Sequence, residues 1–329
     1  MKKSIYEILF AITLGLLIPV LLLQVLSRNM PKDEETTVIF TQTTIQDVPQ
    51  SMPALQSEFI DVLLQDGTVR QMELEGYLTC VLLAEVPADF ETEALRAQAV
   101  VARTYTYKRI HSPHKHDLAA VCADPSCCQA FCDEETYLSD GGTQAEIDKI
   151  RSAVADTKSQ VLTYNGQLIE ATYFSCSGGR TESAAAVWGS DIPYLQAVDS
   201  PGEEIAEHYV DTVTFQAAEF ESLLGIQPDG QPGSWFGEVT YTDGGGVKTI
   251  EIGQTLFDGV TVRQLLGLRS TAFMITAIGQ TITVTTKGFG HRVGMSQYGA
   301  EAMAVQGADY RQILEYYYNG TSLDTWQYD

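Results

Sequence analysis

Two helical patterns that follow one another across Pro87 constrain this chain more than any other feature. In LEGYLTCVLLAEVPADF, Leu74, Leu78, Val81 and Glu85 fall at i, i+4, i+7 and i+11, one stripe of a helix that Pro87 stops. The next segment sets Glu91 and Glu93 in a first turn, where the helix dipole favours acids. It then runs Ala94, Ala97, Val101 and Tyr105 down one stripe, widened by Leu95, Ala99 and Ala102. Small residues over so much of a helix surface require close neighbours on several sides, so this helix belongs at the centre of a packed domain. Arg103 lies within it. A buried guanidinium needs a partner, which makes Arg103 a candidate to orient a carboxylate or a substrate.

Glu85 carries the chemistry of this pair. A carboxylate on an apolar stripe is costly to bury unpaired, and burial raises its pKa, as a general acid near neutral pH requires. The structural alternative is a buried ion pair with Arg96 or Arg103.

The rest reads as mixed secondary structure. Asp66-Gly67 lies between FIDVLLQ and TVRQMEL, and Asn165-Gly166 divides VLTYNGQLIEATYFS; both are type I′ hairpin signals. Residues 205–285 alternate short strands with turns, including Asp243-Gly244-Gly245-Gly246, around one short helix at 262–266. Asp309 and Gln312 form a capping box for a helix that Gly320 ends. The expectation is an α+β fold of helices and antiparallel sheets in two interleaved lobes.

The N-terminus sets the compartment. Lys2 and Lys3 precede a run from Ile8 to Val25 without a charged residue. Its helical length of about 27 Å approaches the hydrocarbon core of a bilayer. A cleaved signal peptide is the rival, but the run ends in Ser27-Arg28-Asn29-Met30 with no small-residue cleavage site. With lysines before it and Asp33, Glu34 and Glu35 after it, the positive-inside rule sends the remainder outside a cell membrane. The expected organisation is a transmembrane anchor over residues 1–29, a Pro/Thr/Gln-rich linker over 30–56, a domain over 57–320 and a tail over 321–329. A net charge of −23 argues against nucleic acid or any other polyanion as partner.

HSPHKHDLAAVCADPSCCQAFCDEE concentrates His and Cys in one loop. His116, Cys122, Cys127 and Cys128 form a set suited to one tetrahedral zinc, closed and therefore structural. His111, His114 and Cys132 compete for each position, and disulfides are the alternative outside the membrane. Cys80 and Cys176 read as packing. Further on, Ser177 and Arg180 in the Cys176-Ser177-Gly178-Gly179-Arg180 loop could meet hydroxyls or a carboxylate of a ligand, or the glycines could serve only a tight loop needing positive φ. Trp188 and Tyr194 could stack on a ligand's rings or belong to the core. His291, after the Gly-rich Lys287-Gly288-Phe289-Gly290, is by itself more often structural.

Three blocks resemble the stage II sporulation protein D family, which shares its signature with amidase enhancers. They are YLTCVLLAEVPADFETEALRAQAVVARTYTYK, FSCSGGRTESAAAVWGSDIPYLQAVDSP and GLRSTAFMI with GFGHRVGMSQYGAEAMA. The resemblance spans roughly residues 57–320. It implies a lytic transglycosylase of peptidoglycan glycan strands, with the catalytic glutamate at Glu85. His291, Gln297 and Tyr298 fall on the third motif and would line the glycan groove. The family carries a comparable loop, in some members holding zinc, commonly with His where Cys127 stands. The resemblance also implies sporulation, engulfment, and strands stripped of stem peptides by a partner amidase of the stage II sporulation protein P type, with a membrane scaffold. One carboxylate suffices for such a lyase, whereas a hydrolase usually needs two; Glu170 and Glu182 lack equal credentials. A non-catalytic amidase enhancer and a metal-dependent hydrolase remain as other classes.

Overall fold

A computed structural model describes residues 58–112 and 115–326. The expected anchor and linker, His114 and the last three residues lie outside them. No helix among the described residues is long and apolar enough to cross a membrane.

The described residues open with an antiparallel hairpin, β1 (Phe59–Leu63) and β2 (Val69–Glu73). Its turn is not type I′, because Gly67 has φ +83° while Asp66 keeps a negative φ. Instead Leu64 N donates to Thr68 O (2.8 Å) and the Asp66 carboxylate accepts from Thr68 N (2.9 Å). The chain passes directly into α1 (Leu74–Glu85), with Leu74, Leu78 and Val81 buried as their spacing requires. After Pro87 comes α2 (Thr92–Ile110), which packs against α1, α4 (Gln144–Asp156), β4 (Gln160–Tyr164), α8 (Gln297–Val305) and α9 (Tyr310–Tyr317). Its alanines let these neighbours approach. The sequence-expected central helix is therefore central.

Three helices tie together at the start of α2. Glu301 of α8 accepts from Glu91 N (2.7 Å), and Glu93 accepts from Tyr310 N at the first residue of α9 (2.9 Å). These carboxylates satisfy N–H groups that the helices cannot satisfy internally. At the far side of the domain, Arg103 is fully buried. Its Nη2 meets Glu75 Oε2 (2.6 Å) and Val154 O (3.0 Å), Nε meets Glu75 Oε1 (3.1 Å), and Nη1 reaches Gln160 O (3.3 Å). The guanidinium so ties the first turn of α1 to α2, the end of α4 and the start of β4. This corrects the expectation that Arg103 touches substrate: it orients a carboxylate, but a structural one.

Between α2 and α4 lie β3 (Val121–Cys122), parallel to β1, and α3 (Glu134–Ser139). The hairpin of β4 with β5 (Gln167–Leu168) has Asn165 at φ +53° and Gly166 at φ +75°, the positive pair a type I′ turn needs. β6 (Tyr173–Phe174) leaves that hairpin and pairs in parallel with β13 (Met295–Ser296) instead. α5 (Ala184–Trp188) follows, and the chain continues beyond Gly320 into β14 (Ser322–Thr325), which pairs with β4.

Residues 210–287 form the β-rich lobe. β7 (Val210–Gln216) lies beside β12 (Thr281–Lys287), which pairs with β11 (Phe273–Ile278); β8 (Phe236–Tyr241), β9 (Val247–Ile252) and β10 (Thr255–Asp258) form a second antiparallel sheet. The expected short helix is α7 (Gly259–Leu265), and a second, α6 (Ala217–Leu224), stands where only strands were expected. The lobe has its own core around Phe220, Ile252, Val262, Ile282 and Val284. Its two ends meet, since Gly288 N donates to Tyr209 O (2.9 Å). Arg292 fastens body to lobe, reaching Ser177 O (2.7 Å), Glu182 Oε1 (3.3 Å) and Gly244 O (2.6 Å). The architecture is α+β, with one lobe inserted into the other.

Glu75→Ala leaves the Arg103 guanidinium buried without its carboxylate. It is expected to lower unfolding free energy by about 3 kcal/mol, read as a lower urea midpoint.

Candidate active site

Glu85 is the last residue of α1, where Val86 turns to an extended conformation before Pro87. Its carboxylate is half-buried and receives two neutral donors on one oxygen: Ala130 N (2.7 Å) and Tyr173 Oη (2.9 Å), both to Oε1. Burial raises its pKa from the ordinary glutamate value, against the lowering effect of Ala130, Tyr173 and Gln297. Gln297 acts here although its Nε2 is buried with no partner at hydrogen-bonding distance. It is a nearby dipole rather than a formed bond.

The ion-pair alternative fails for both arginines. Arg96 pairs with Glu93 and Asp156, and Arg103 with Glu75. The other acids are occupied as well: Glu170 pairs with Arg109, and Glu182 with Arg292.

The partners of Glu85 come from distant parts of the sequence. Tyr173 is on β6, registered against Met295, and Gln297 opens α8 two residues after that pairing. His291 holds the same strand. Its Nδ1 accepts from Val293 N (3.1 Å), which leaves the proton of the neutral ring on Nε2, and the ring meets Phe174 of β6 edge to face at 5.7 Å. Burial pushes its pKa down to about 4, so the ring is neutral near pH 7. Trp188, 44% exposed, rests on it with centroids 5.4 Å apart. Tyr298, half-buried, meets Phe90 edge to face at 5.0 Å.

Ser177 does not reach the surface. Its Oγ and backbone N both donate to Glu203 Oε2 at 2.8 Å, and Gly178 N adds a third bond (2.9 Å). The loop therefore wraps a buried carboxylate of its own, and Ser177 is corrected from sugar-binding to structural. Glu203 had no periodic signal in the sequence. Arg180 pairs with Asp199 and Asp243 O, with its side chain partly open to solvent. Tyr194 accepts from Glu170 N (3.1 Å) and lies against Tyr164, in the packed body.

The ligating atoms of His116, Cys122, Cys127 and Cys128 all lie within 4.8 Å of one another. His116 Nε2 is 3.7 Å from the sulfurs of both Cys127 and Cys128. A tetrahedron with the usual zinc–sulfur and zinc–nitrogen lengths has edges of about 3.5–3.8 Å, so this donor set fits zinc. Cys132 is turned to Asp133 O and His111 stacks on Tyr107; all six cysteines are free. Four protein donors leave no open position, which removes support from a metal-dependent hydrolase. Gln129 and Ala130 follow Cys128 directly, so the donor to Glu85 Oε1 is carried by this loop.

Comparison with known proteins shows the family. The profile of the stage II sporulation protein family, SpoIID, matches residues 65–164. The chain is 38% identical to stage II sporulation protein D of Bacillus subtilis (strain 168), covering 95% of each. It is 37% identical to the protein of the same name from Bacillus amyloliquefaciens, over 86% of this chain and 81% of that one. It is also 30% identical to the amidase enhancer of Bacillus subtilis (strain 168), over 75% of this chain but 40% of that longer protein.

Two outcomes are expected. Titration with cobalt(II) gives one equivalent bound and the visible bands of a tetrahedral thiolate site, both absent in Cys122→Ser; paired cysteines and no bands would remove the metal site. A carboxyl whose folded pKa exceeds its unfolded value costs stability once pH rises past the unfolded value. Glu85→Gln is therefore more thermostable than the natural protein near pH 7, and the gap closes below about pH 4.

Proposed function

The chain belongs to the stage II sporulation protein D family, and we propose that it is a peptidoglycan lytic transglycosylase with Glu85 as its single acid and base. The observation that carries this is the half-buried Glu85 carboxylate, its pKa raised by burial and its bonded donors confined to Oε1. Oε2 is then the oxygen that exchanges a proton with substrate. Protonated, it gives that proton to the glycosidic oxygen between MurNAc and GlcNAc, and the bond from MurNAc C1 breaks with its electron pair leaving on that oxygen. The resulting carboxylate takes the proton of the MurNAc C6 hydroxyl, whose oxygen closes on C1 as a 1,6-anhydro ring. No water is consumed, and no second carboxylate is required. Ala130 N–H and Tyr173 O–H support the carboxylate between the two transfers. With Glu170 and Glu182 held in ion pairs, this single-carboxylate route is favoured over hydrolysis.

His116, Cys122, Cys127 and Cys128 would hold a structural zinc, which would fix the loop that carries Ala130. In the same reading, residues 1–29 anchor the chain in the cell membrane with the domain outside. The substrate is septal glycan during engulfment, already stripped of peptides by an amidase partner. The similarity to an amidase enhancer favours one alternative: a non-catalytic domain that binds peptidoglycan and enhances an amidase.

Mass spectrometry of peptide-free glycan strands treated with the protein tests this. Expected are 1,6-anhydro ends with the natural protein and none with a folded Glu85→Gln variant. Reducing ends would mean hydrolysis, and no cleavage would favour the enhancer. Because the first transfer needs protonated Glu85, kcat/KM is expected to fall as pH rises through its pKa, with the limb displaced upward from that of an exposed glutamate. A limb at or below the exposed value would contradict the role given to burial.

A further inference from the structure

Glu85 stands at the end of a line of side chains that begins inside the fold. The Thr106 hydroxyl shares its one proton between two acceptors, Gln129 Oε1 at 3.0 Å and Ala102 O at 2.8 Å. Gln129 Nε2 donates to Tyr173 Oη (3.1 Å), and Tyr173 Oη donates to Glu85 Oε1 (2.9 Å). Gln129 is 1% exposed, so water does not replace these contacts. A phenol has one proton, and its direction depends on what its oxygen already accepts. An amide that presents N–H to Tyr173 sends that proton to Glu85. The same amide turned end for end would present an oxygen, and would draw the proton away.

We infer that Gln129 is a positioning residue for Glu85: held by Thr106, its amide directs the Tyr173 hydroxyl onto Glu85 Oε1 and leaves Oε2 for the proton that moves. This rests on Glu85 being the acid and base. Gln129 touches neither substrate nor Glu85, and acts through Tyr173. Its neighbour Cys128 belongs to the Cys/His set, so one loop supplies both Ala130 N–H and the residue that aims the second donor. The titratable groups around Glu85 are the phenols of Tyr77 on α1 and Tyr173 on β6, with the thiols of Cys122 and Cys128 and the phenol of Tyr105 beyond Tyr77. No charged side chain is among the influences on Glu85 itself.

The test is a double-mutant cycle read by carbon-13 NMR of glutamate carboxyls in the full chain. The Glu85 signal is the one missing from Glu85→Gln. Once ionised, the Gln129→Glu carboxylate can only accept from Tyr173, so it competes with Glu85 for the phenol proton and also repels Glu85 through space. The repulsion persists in a Tyr173→Phe background, whereas the part carried by the hydroxyl does not. The expected result is a rise in the Glu85 pKa that is larger with Tyr173 intact by on the order of one pH unit. Equal rises in both backgrounds overturn the inference. Thr106→Val, neutral and outside the Cys/His loop, repeats the test. It is expected to raise the Glu85 pKa only when Tyr173 is present, and an equal effect in both backgrounds again overturns it. The titration reads the carboxyl whether or not glycan is cut, so it can fail while the cleavage assay succeeds, and the reverse.

Discussion

The buried pair of Arg103 and Glu75 is the interaction on which the body of the fold depends. A guanidinium with no solvent contact must have every side satisfied, and here the partners come from α1, α2, the end of α4 and the start of β4. That requirement fixes where the first turn of α1 lies against α2. The last turn of the same helix presents Glu85. The position of the carboxylate thus follows from a charge neutralised at the opposite end of α1, with the apolar stripe of Leu74, Leu78 and Val81 between them.

Around Glu85 the chemistry depends on segments that only the fold brings together. Ala130 comes from the Cys/His loop, Tyr173 from β6 and Gln297 from the start of α8. Two competing influences meet there: burial disfavours the carboxylate, and neutral donors favour it. Burial wins, and the result is a group suited to hold a proton and to release it. A full ion pair would have settled the contest the other way, which is why Arg96 and Arg103 being engaged elsewhere matters to the site.

Much of this was legible in the sequence, for identifiable reasons. Helix period plus Pro87 located Glu85; Asn165-Gly166 and Asp309 with Gln312 gave a turn and a cap whose local chemistry needs no tertiary help. The spacing of His116, Cys122, Cys127 and Cys128 named a set of atoms that do converge. Failures came where tertiary context decides. Asp66-Gly67 has the residues of a tight turn, yet an Asp66–Thr68 bond favours another. Ser177 and Arg103 looked available for a ligand because no pattern announces Glu203, and Glu75 is one acid among many. Thr143 with Glu146 likewise spells the capping box of α4. Tyr173 could not be found, since its role exists only through strand pairing with Met295.

The lobe of residues 210–287 departs from and returns to adjoining points, joined by the Gly288–Tyr209 hydrogen bond. For the body, so long an excursion is topologically equivalent to a short loop. Loop-closure entropy grows only with the logarithm of loop length, and a lobe with a core of its own removes much of even that cost once folded. The two lobes are therefore free to diverge at different rates. Changes within the inserted sheets reach the body through the anchorage of residues 242–246, which Arg180, Glu182 and Arg292 hold, and through the Gly290–Arg269 hydrogen bond.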